Sequence, residues 1–413
     1  MTRSGSEALG LYISIPFCRS KCTYCNFASG VYPAKDHARY VDRLIEDMDR
    51  AEGWASGLGV DLPRRVDTIY LGGGTPSLLE PNLIAQLFGA VRSRFALEPQ
   101  AEITVECAPG QLADETIDAL AHTGVNRVSL GVQSFIDREA HVSGRLHSRA
   151  VVLEDLRRLR GAGIANLNVD LIAGLAGQTF DSWAESLAVL VESGVPHASV
   201  YMLEIDEDSR LGREMLAGGA RYHAEQVPGD DAIARMYEIA IERLANAGLH
   251  QYEISNFAQT GQASRHNIRY WKRKPYLGIG LDASSMLRET VDGDGSDGRP
   301  GQVLRSTTTD DLKLYLDGQE SPEIAWLSPE RQHEEAWFLG LRMNRGVKPS
   351  ELRGEFGEEP VARALAVAER LKERGFIELD GETVRLTGQG RLLSNEVFQE
   401  FLEIAETGDL AAK

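Results

Sequence analysis

The stretch YISIPFCRSKCTYCNF, residues 12–27, joins a short β-rich run to three cysteines, Cys18, Cys22 and Cys25. Their spacing is C-x3-C-x2-C, and the chain has only one other cysteine, Cys107. Four cysteines among 413 residues cannot build a disulfide framework, and in a reducing compartment they remain thiols that a metal can bind. The stretch therefore predicts a first strand whose carboxyl end carries a cluster of thiolate ligands.

Three kinds of site compete for this spacing. A redox pair of Cys22 and Cys25 would leave Cys18 without a role. Structural zinc needs four closed ligands, and no nearby cysteine or histidine completes that set. An iron–sulfur cluster uses thiolates at such spacings, and three ligands leave one iron of a [4Fe-4S] cluster open. We favour the cluster, and we expect Cys107 to be a core residue.

The hydrophobic pattern that follows alternates strands with helices. The predicted strands are residues 11–15, 68–71, 103–106, 127–132, 167–172 and 199–203, and the predicted helices are residues 36–52, 80–95, 112–122, 149–162 and 180–193. Six β/α units in series predict a parallel sheet, because each crossover helix returns the chain to the same edge direction. Eight units would close a barrel. The predicted fold class is therefore α/β with a partial (β/α)6 barrel.

We divide the chain into three regions. Residues 8–240 are the predicted barrel domain, residues 241–328 an intermediate region, and residues 329–405 a smaller C-terminal domain. Near the end of the chain, a helix, an Asp-Gly hairpin turn and another helix follow one another in the order of a winged-helix-like segment. The acidic residues of this segment favour a packing role over DNA binding.

Composition excludes two classes of partner. Sixty-two acidic and 44 basic residues give a net charge of -18, which repels phosphate backbones, so no nucleic-acid partner is expected. No run reaches the roughly 18 apolar residues that a membrane span needs, and the N-terminus lacks a signal-peptide core. We expect a cytoplasmic protein without a membrane span.

Polar residues stand at the carboxyl ends of the predicted strands, where sites of such folds form. Glu106 ends the third strand, Gln133 follows the fourth and Asp170 lies in the fifth. Strands buried on both faces normally carry apolar residues at such positions, so these three predict a shared polar ligand. Close by are residues whose backbone or charge suits an anion: Gly73, Gly74, Thr75 and Arg145.

The C-x3-C-x2-C motif after the first strand of a β/α domain resembles that of the radical S-adenosylmethionine (SAM) superfamily. An aromatic residue precedes the third cysteine in that family, as Tyr24 does here. The resemblance implies a [4Fe-4S] cluster on Cys18, Cys22 and Cys25, with SAM on the open iron. The strand ends resemble those of the porphyrin-related branch, which implies a SAM pocket lined by Tyr12, Tyr24, Gly73, Gly74, Thr75, Glu106, Gln133, Arg145 and Asp170.

Two functions occur in this branch. Oxygen-independent coproporphyrinogen III oxidase removes two propionate carboxyl groups and carries a further cysteine two residues after the third, where this chain has Phe27. The haem chaperones called HemW carry H-N-x-x-Y-W after the barrel, which is present here as His266, Asn267, Tyr270 and Trp271. The resemblance implies a haem chaperone that delivers haem to an apo-cytochrome. The oxidase is the alternative, and a radical SAM enzyme with another substrate is a third.

The surroundings of this signature suit a porphyrin. Neutral imidazole is the commonest protein ligand of haem iron, so His266 is the candidate axial ligand and haem a third cofactor. Haem transfer is compatible with peripheral contact with a membrane. The structural alternative is that His266 and Trp271 only pack the second domain against the barrel. Cations that could pair with haem propionates surround the signature: Arg265, Arg269, Lys272, Arg273 and Lys274.

Overall fold

The computed structural model describes residues 7–290, 301–319 and 321–402. Within these residues the fifteen strands are β1 (Leu9–Ile15), β2 (Val60–Asp61), β3 (Arg65–Gly73), β4 (Ala96–Cys107), β5 (Arg127–Gln133), β6 (Asn166–Ala173), β7 (His197–Met202), β8 (His250–Gln251), β9 (Asn256–Ala258), β10 (Tyr276–Ile279), β11 (Ser284–Glu289), β12 (Val303–Thr307), β13 (Glu323–Leu327), β14 (Ile377–Asp380) and β15 (Thr383–Leu386). The fifteen α-helices of the same residues are α1 (Lys35–Gly57), α2 (Pro81–Arg94), α3 (Asp114–His122), α4 (Asp137–Val142), α5 (Arg149–Gly161), α6 (Phe180–Glu192), α7 (Arg210–Ala217), α8 (Asp230–Asn246), α9 (Arg265–Trp271), α10 (Leu312–Asp317), α11 (Pro329–Arg342), α12 (Pro349–Phe356), α13 (Glu358–Glu373), α14 (Gly388–Leu392) and α15 (Ser394–Leu402).

One sheet organises most of the described chain. Its strand order is β13-β12-β11-β10-β1-β3-β4-β5-β6-β7-β9-β8, and β2 pairs with β11. Strands β1 and β3 to β7 are parallel, with at least one helix between each successive pair, so the predicted partial (β/α)6 barrel is confirmed. The short strand β10 adds to β1 in parallel, and β11 to β13 continue antiparallel from it. Strands β9 and β8 extend the opposite edge.

Local sequence signals set several helix ends. A capping box of Thr179 and Ser182 begins α6, because each side chain accepts a hydrogen bond from the backbone of the other. Gly163 and Gly194 follow α5 and α6 with positive φ, the conformation that ends helices at glycine. None of the helices in the described ranges is both long and apolar enough to cross a bilayer.

Alternate residues of the parallel strands face opposite sides of the sheet. In β1, Leu11 and Ile13 belong to the main hydrophobic core, whereas Tyr12 contacts Tyr70 on the inner face of the barrel. The inner face of the following strands is polar, which is unusual for a parallel sheet and positions the site. Its residues that line the barrel cavity include Tyr70, Thr104, Glu106, Arg127, Ser129, Gln133, Asn168, Asp170, His197 and Ser199.

The C-terminal domain has a hydrophobic core of its own. Trp337 of α11 stacks on Phe401 of α15 with ring centroids 5.3 Å apart. The antiparallel pair β14 and β15 follows α13 and precedes α14, which is the predicted order of helix, hairpin and helix. The domain reaches the barrel cavity through Gln389 and residues 392–396. Of the predicted span 329–405, residues 403–405 lie outside the described residues.

Candidate functional site

A cavity of about 1290 Å³ occupies the barrel interior and the carboxyl ends of its parallel strands. The structure brings eleven of the thirteen predicted site residues to this cavity, and Tyr12 and His266 lie outside its lining. The eleven are Cys18, Cys22, Tyr24, Cys25, Gly73, Gly74, Thr75, Glu106, Gln133, Arg145 and Asp170.

The three cysteines lie on the loop between β1 and α1. Backbone hydrogen bonds fix this loop, since the Cys18 N–H donates to the Gly30 oxygen (2.8 Å) and the Thr23 N–H to the Ser143 oxygen (3.1 Å). The Thr75 hydroxyl lies 3.9 Å from the Cys18 sulfur. Burial raises the pKa of the Cys18 thiol, and the other two thiols add to the shift. Among the described residues, no three His, Cys, Asp or Glu side chains are already arranged as a metal site.

Two glycines let the end of β3 pack against the loop between β1 and α1, residues 16–34, which we call the cysteine loop. A Cβ on Gly74 would lie 2.8 Å from the carbonyl oxygens of Ile15 and Phe17. Gly73 has a φ of +97°, which favours glycine. The N–H groups of Gly74 and Thr75 donate to the Ile15 and Phe17 oxygens at 2.9 and 2.7 Å. These two N–H groups are therefore not free for an anion, whereas the backbone of Gly73 hydrogen-bonds the Glu106 carboxyl and so opposes the rise of its pKa.

Two carboxylates face the cavity. The Tyr70 hydroxyl donates to Glu106 Oε1 (2.7 Å), while Asn168 Nδ2 and the Ser129 hydroxyl donate to Asp170 at 2.7 and 3.0 Å. Burial raises the pKa of Glu106 to about 7, and the charge of Asp170 adds to that shift. Burial also raises the pKa of Asp170. A cationic ligand would favour the charged form of both acids.

Gln133 and Arg145 are incompletely satisfied within the protein. Gln133 ends β5 with a φ of +68°, a conformation that costs a residue other than glycine about 1–3 kcal/mol. Within the part of the chain that the structure describes, its Oε1 is buried without a hydrogen-bond partner, and so is Arg145 Nε. Arg145 Nη2 donates to the Tyr24 hydroxyl (3.1 Å). Strain together with unpartnered buried atoms is typical of a ligand site.

Tyr12 does not line the cavity itself but packs against Tyr70, which does. Its ring stacks on Tyr70 with centroids 6.2 Å apart. Burial raises the pKa of the Tyr12 phenol well above its usual range, so the hydroxyl is neutral. Tyr12 therefore contacts the site through Tyr70.

Comparison with known proteins gives the family. The Radical SAM superfamily model matches residues 12–190, and the HemN C-terminal domain model matches residues 327–393. The chain is 33% identical over 404 residues to the heme chaperone HemW of Lactococcus lactis, with 95% of this chain and 96% of that protein covered. It is 32% identical over 399 residues to the heme chaperone HemW of Bacillus subtilis, with 95% and 98% covered. The chain belongs to the HemW family.

Among solved structures, the radical SAM enzyme coproporphyrinogen III oxidase (HemN) of Escherichia coli is similar with a TM-score of 0.79. It is 23% identical, with 96% of this chain and 90% of that chain covered, and this likeness shows the fold alone. Membership of the radical SAM superfamily implies a [4Fe-4S] cluster and SAM as cofactors. The relatives that match nearly the whole chain favour the chaperone over the oxidase.

The HemW signature lies on α9, which we call the signature helix (Arg265–Trp271). Asn267 lines the cavity, but His266 is buried beside it. The His266 Nδ1 is 2.9 Å from the Thr68 hydroxyl oxygen and its Nε2 is 2.8 Å from the Tyr270 hydroxyl oxygen. Burial lowers the pKa of His266 to about 3, so the ring is neutral with both nitrogens hydrogen-bonded.

The predicted patch of cations around the signature is partly wrong. Arg269 is buried, paired with Asp67, and donates to the Pro275 oxygen (2.8 Å). Arg273 donates to both carboxylate oxygens of Glu355, at 3.0 and 2.6 Å. Both guanidinium groups are therefore used in packing. The other three cations are not fully buried.

The sequence assigns many residues of the cavity wall to no site, among them Tyr70, Tyr201 and Arg342, and it marks Asn267 only as part of the signature. Tyr70, Tyr201 and Asn267 line the cavity from the barrel side, and Arg342 lines it from the C-terminal domain. The signal for Tyr70 is present in the sequence, because the polar and aromatic residues 68 and 70 alternate with apolar residues in β3. No comparable signal marks Arg342, which contacts the ring of Trp271 at 4.3 Å.

Proposed function

We propose that the chain is a haem chaperone: it binds haem on a scaffold that holds a [4Fe-4S] cluster and SAM, and it hands the haem to an apo-cytochrome. The observation that carries the proposal is the nearly full-length relation to proteins named heme chaperone HemW. The residues of the cavity are compatible with all three cofactors.

Cys18, Cys22 and Cys25 would hold the cluster, because three thiols on one loop leave the fourth iron open. When bound, this cluster supplies an open iron to the amino and carboxylate groups of SAM. Glu106 and Asp170 are desolvated acids, which suit a ligand that carries sulfonium and ammonium charges. Gln133 and Arg145 each keep a buried polar atom that has no partner in the described ranges of the chain, which suits the polar remainder of SAM.

Haem has support from the size and rim of the cavity. Its 1290 Å³ exceeds the range of about 300–1,000 Å³ usual for one small ligand, which leaves room for a second ligand beside SAM. Phe27 and Leu146 line it with 63% and 59% of their surfaces exposed, and Leu393 adds an apolar residue from the C-terminal domain. A flat apolar macrocycle would cover such residues. We call these three side chains the apolar rim.

The oxidase alternative has weaker support. Phe27 stands where oxidases of this branch carry a further cysteine, and its ring is largely exposed. The likeness to the oxidase structure extends to the fold alone. A chaperone needs little or no cleavage of SAM, so the two functions differ in a product that can be measured.

The axial ligand of haem stays a prediction. His266 would have to leave Thr68 and Tyr270 before its imidazole reached an iron outside its present burial site. Each lost hydrogen bond costs about 0.5–1.5 kcal/mol. If His266 is the ligand, His266→Ala removes the haem absorbance band or weakens haem affinity.

Haem titration of anaerobically reconstituted protein, followed by visible spectroscopy, tests the proposal. We expect a defined stoichiometry and transfer of the bound haem to an added apo-cytochrome. A parallel incubation with coproporphyrinogen should yield no protoporphyrinogen and no deoxyadenosine. Formation of both products would establish the oxidase instead, and absence of haem binding would refute the chaperone.

A second experiment tests the apolar rim. The double variant Phe27→Ser and Leu393→Ser should weaken haem affinity about tenfold or more, because each truncation removes apolar contact area of roughly 1 kcal/mol or more. Leu153→Ser is the matched control, since Leu153 is 39% exposed against 37% for Leu393 and does not line the cavity. Equal haem affinity in the double variant and the control would show that haem does not contact the apolar rim.

A further inference from the structure

A column of side chains connects the signature helix to the carboxylate Glu106 at the cavity. The His266 Nε2 lies 2.8 Å from the Tyr270 hydroxyl. The His266 ring stacks on the Tyr70 ring, with centroids 5.3 Å apart and an angle of 28° between the planes. The Tyr70 hydroxyl donates to Glu106 Oε1 at 2.7 Å. The signature therefore reaches a SAM-site residue through one intervening ring.

The column is fixed along β3. Thr68 and Tyr70 are two residues apart, so both side chains face the barrel interior. His266 contacts both, because its Nδ1 lies 2.9 Å from the Thr68 hydroxyl oxygen while its ring covers Tyr70. The backbone of the signature helix is held as well, since the His266 N–H donates to Glu102 Oε1 at 2.9 Å. His266 therefore has little freedom to move relative to the strand.

The far end of the column is anchored too. The Tyr270 ring packs edge-to-face on Tyr276, with centroids 4.6 Å apart. Arg305 donates to the Tyr276 hydroxyl (2.5 Å) and to Glu335 of α11 (2.7 Å). The barrel and the C-terminal domain thus both restrain the ring that His266 contacts.

We propose that His266 is a positioning residue of the SAM pocket, which fixes the Tyr70 ring and, through the Tyr70 hydroxyl, the orientation of the Glu106 carboxylate. A carboxylate held in place before the ligand arrives loses less conformational entropy on binding. The inference rests on the SAM binding of the proposed function and is independent of haem. It gives the signature histidine a role in its observed conformation, in which both ring nitrogens are occupied.

A double-mutant cycle on SAM affinity tests this path. Tyr70→Phe removes the hydroxyl that Glu106 accepts from, and His266→Ala removes the ring that orients Tyr70. In anaerobically reconstituted protein we expect each change to weaken SAM binding about tenfold, the size of one hydrogen bond to an ionised group. The two together should weaken it no more than Tyr70→Phe alone, because His266 acts through that hydroxyl. Tyr270→Phe, which keeps the ring and deletes one hydroxyl, should weaken SAM binding about threefold.

His333 is the matched control. It is 3% exposed against 1% for His266, and it accepts a hydrogen bond from Trp337 within the C-terminal domain. His333→Ala should lower the unfolding temperature and leave SAM affinity unchanged.

Three outcomes contradict the proposal. They are wild-type SAM affinity in His266→Ala, full additivity of its effect with that of Tyr70→Phe, and an equal loss of SAM affinity in His333→Ala. Loss of haem binding with normal SAM affinity would make His266 a haem ligand instead. A wild type that binds no SAM would overturn this inference, whereas failed haem transfer alone would overturn only the chaperone.

Discussion

At the carboxyl ends of the barrel strands, Gln133 Oε1 and Arg145 Nε are buried without partners among the described residues, whereas the polar side chains of His266 and Arg269 on the signature helix are hydrogen-bonded. Both regions are buried and both carry residues that the sequence singles out. The difference separates their roles, because an unpartnered buried polar atom is costly unless a ligand satisfies it. The strand ends are suited to a ligand, whereas His266 and Arg269 are built into the fold. Trp271 at the end of the signature helix is the exception, because its Nε1 is also buried without a hydrogen-bond partner in the described residues.

Electrostatics agree with this contrast. Glu106 at the strand end accepts a hydrogen bond from Tyr70, yet burial still raises its pKa to about 7. Arg269 on the signature helix is desolvated as well, and burial lowers its pKa although Asp67 opposes that shift. The two groups differ in access, because Glu106 lines the cavity that a cationic ligand can enter and Arg269 does not line it. Four substitutions test the contrast, beginning with the largest expected effect.

Cys22→Ser should abolish the iron–sulfur chromophore. Anaerobic reconstitution of the wild type should give about four irons and sulfides per chain with a brown colour, because under our proposal three thiolates would hold a [4Fe-4S] cluster. The serine variant should retain little iron, measured by iron and sulfide analysis. Cys107→Ala is the matched control, since Cys107 belongs to the main core and burial raises its pKa to about 12, which keeps it a neutral thiol. Equal iron content in the two variants would show that the loop with Cys18, Cys22 and Cys25 does not bind the cluster.

Arg269→Ala should lower the free energy of unfolding by about 3 kcal/mol, because it breaks the ion pair with the partly buried Asp67 and leaves that carboxylate only Arg265, whose Nη2 lies 3.9 Å from Asp67 Oδ2. It also removes donors to the Ala8 and Pro275 oxygens. Denaturant unfolding of the cluster-loaded protein measures the loss. Arg265→Ala, on the exposed side of the same helix, should cost less than about 1 kcal/mol. Similar values for both would contradict the structural role of the signature helix.

Glu106→Gln should stabilise the SAM-free protein above pH 7. The folded-state pKa is raised from the ordinary 4.5 to about 7, so the folded protein binds the proton more tightly than the unfolded chain does. Wild-type stability therefore falls as the pH rises from about 4.5 to 7, and the neutral amide avoids this loss. The gain should be on the order of 3 kcal/mol at pH 8 and vanish near pH 4.5. Unfolding midpoints at the two pH values measure it. Exposed Glu154→Gln is the control, and a Glu106→Gln variant less stable than wild type at pH 8 would contradict the desolvated carboxylate.

The sequence predicts the strand ends well and the signature helix poorly, for physical reasons. Cys18, Cys22 and Cys25 share one loop, and Glu106 and Asp170 follow from strand alternation, so local pattern is sufficient. The surroundings of His266 depend on which strand the helix meets, and its partner Thr68 is 198 residues away in sequence. The four-residue strand β10 is too short for a periodic signal. The cations near His266 predict a propionate site, but the sequence does not show that Arg269 pairs with Asp67, and this ion pair makes Arg269 unavailable to a propionate.

Thr75→Val should produce the smallest of these effects, because it changes one contact at the edge of the cysteine loop. The Thr75 hydroxyl lies 3.9 Å from the Cys18 sulfur. A hydrogen bond to a ligating thiolate stabilises the more negative, reduced cluster, so its loss should lower the reduction potential while the iron content stays the same. Thr104→Val is the matched control, since Thr104 lines the same cavity and its hydroxyl has no hydrogen-bond partner in the described residues. Redox titration followed by electron paramagnetic resonance compares the two. An unchanged potential in Thr75→Val, or an equal shift in Thr104→Val, would show that the Thr75 hydroxyl does not act on Cys18. The backbone hydrogen bonds of Cys18 and Thr23 would then be the contacts that determine the conformation of the loop.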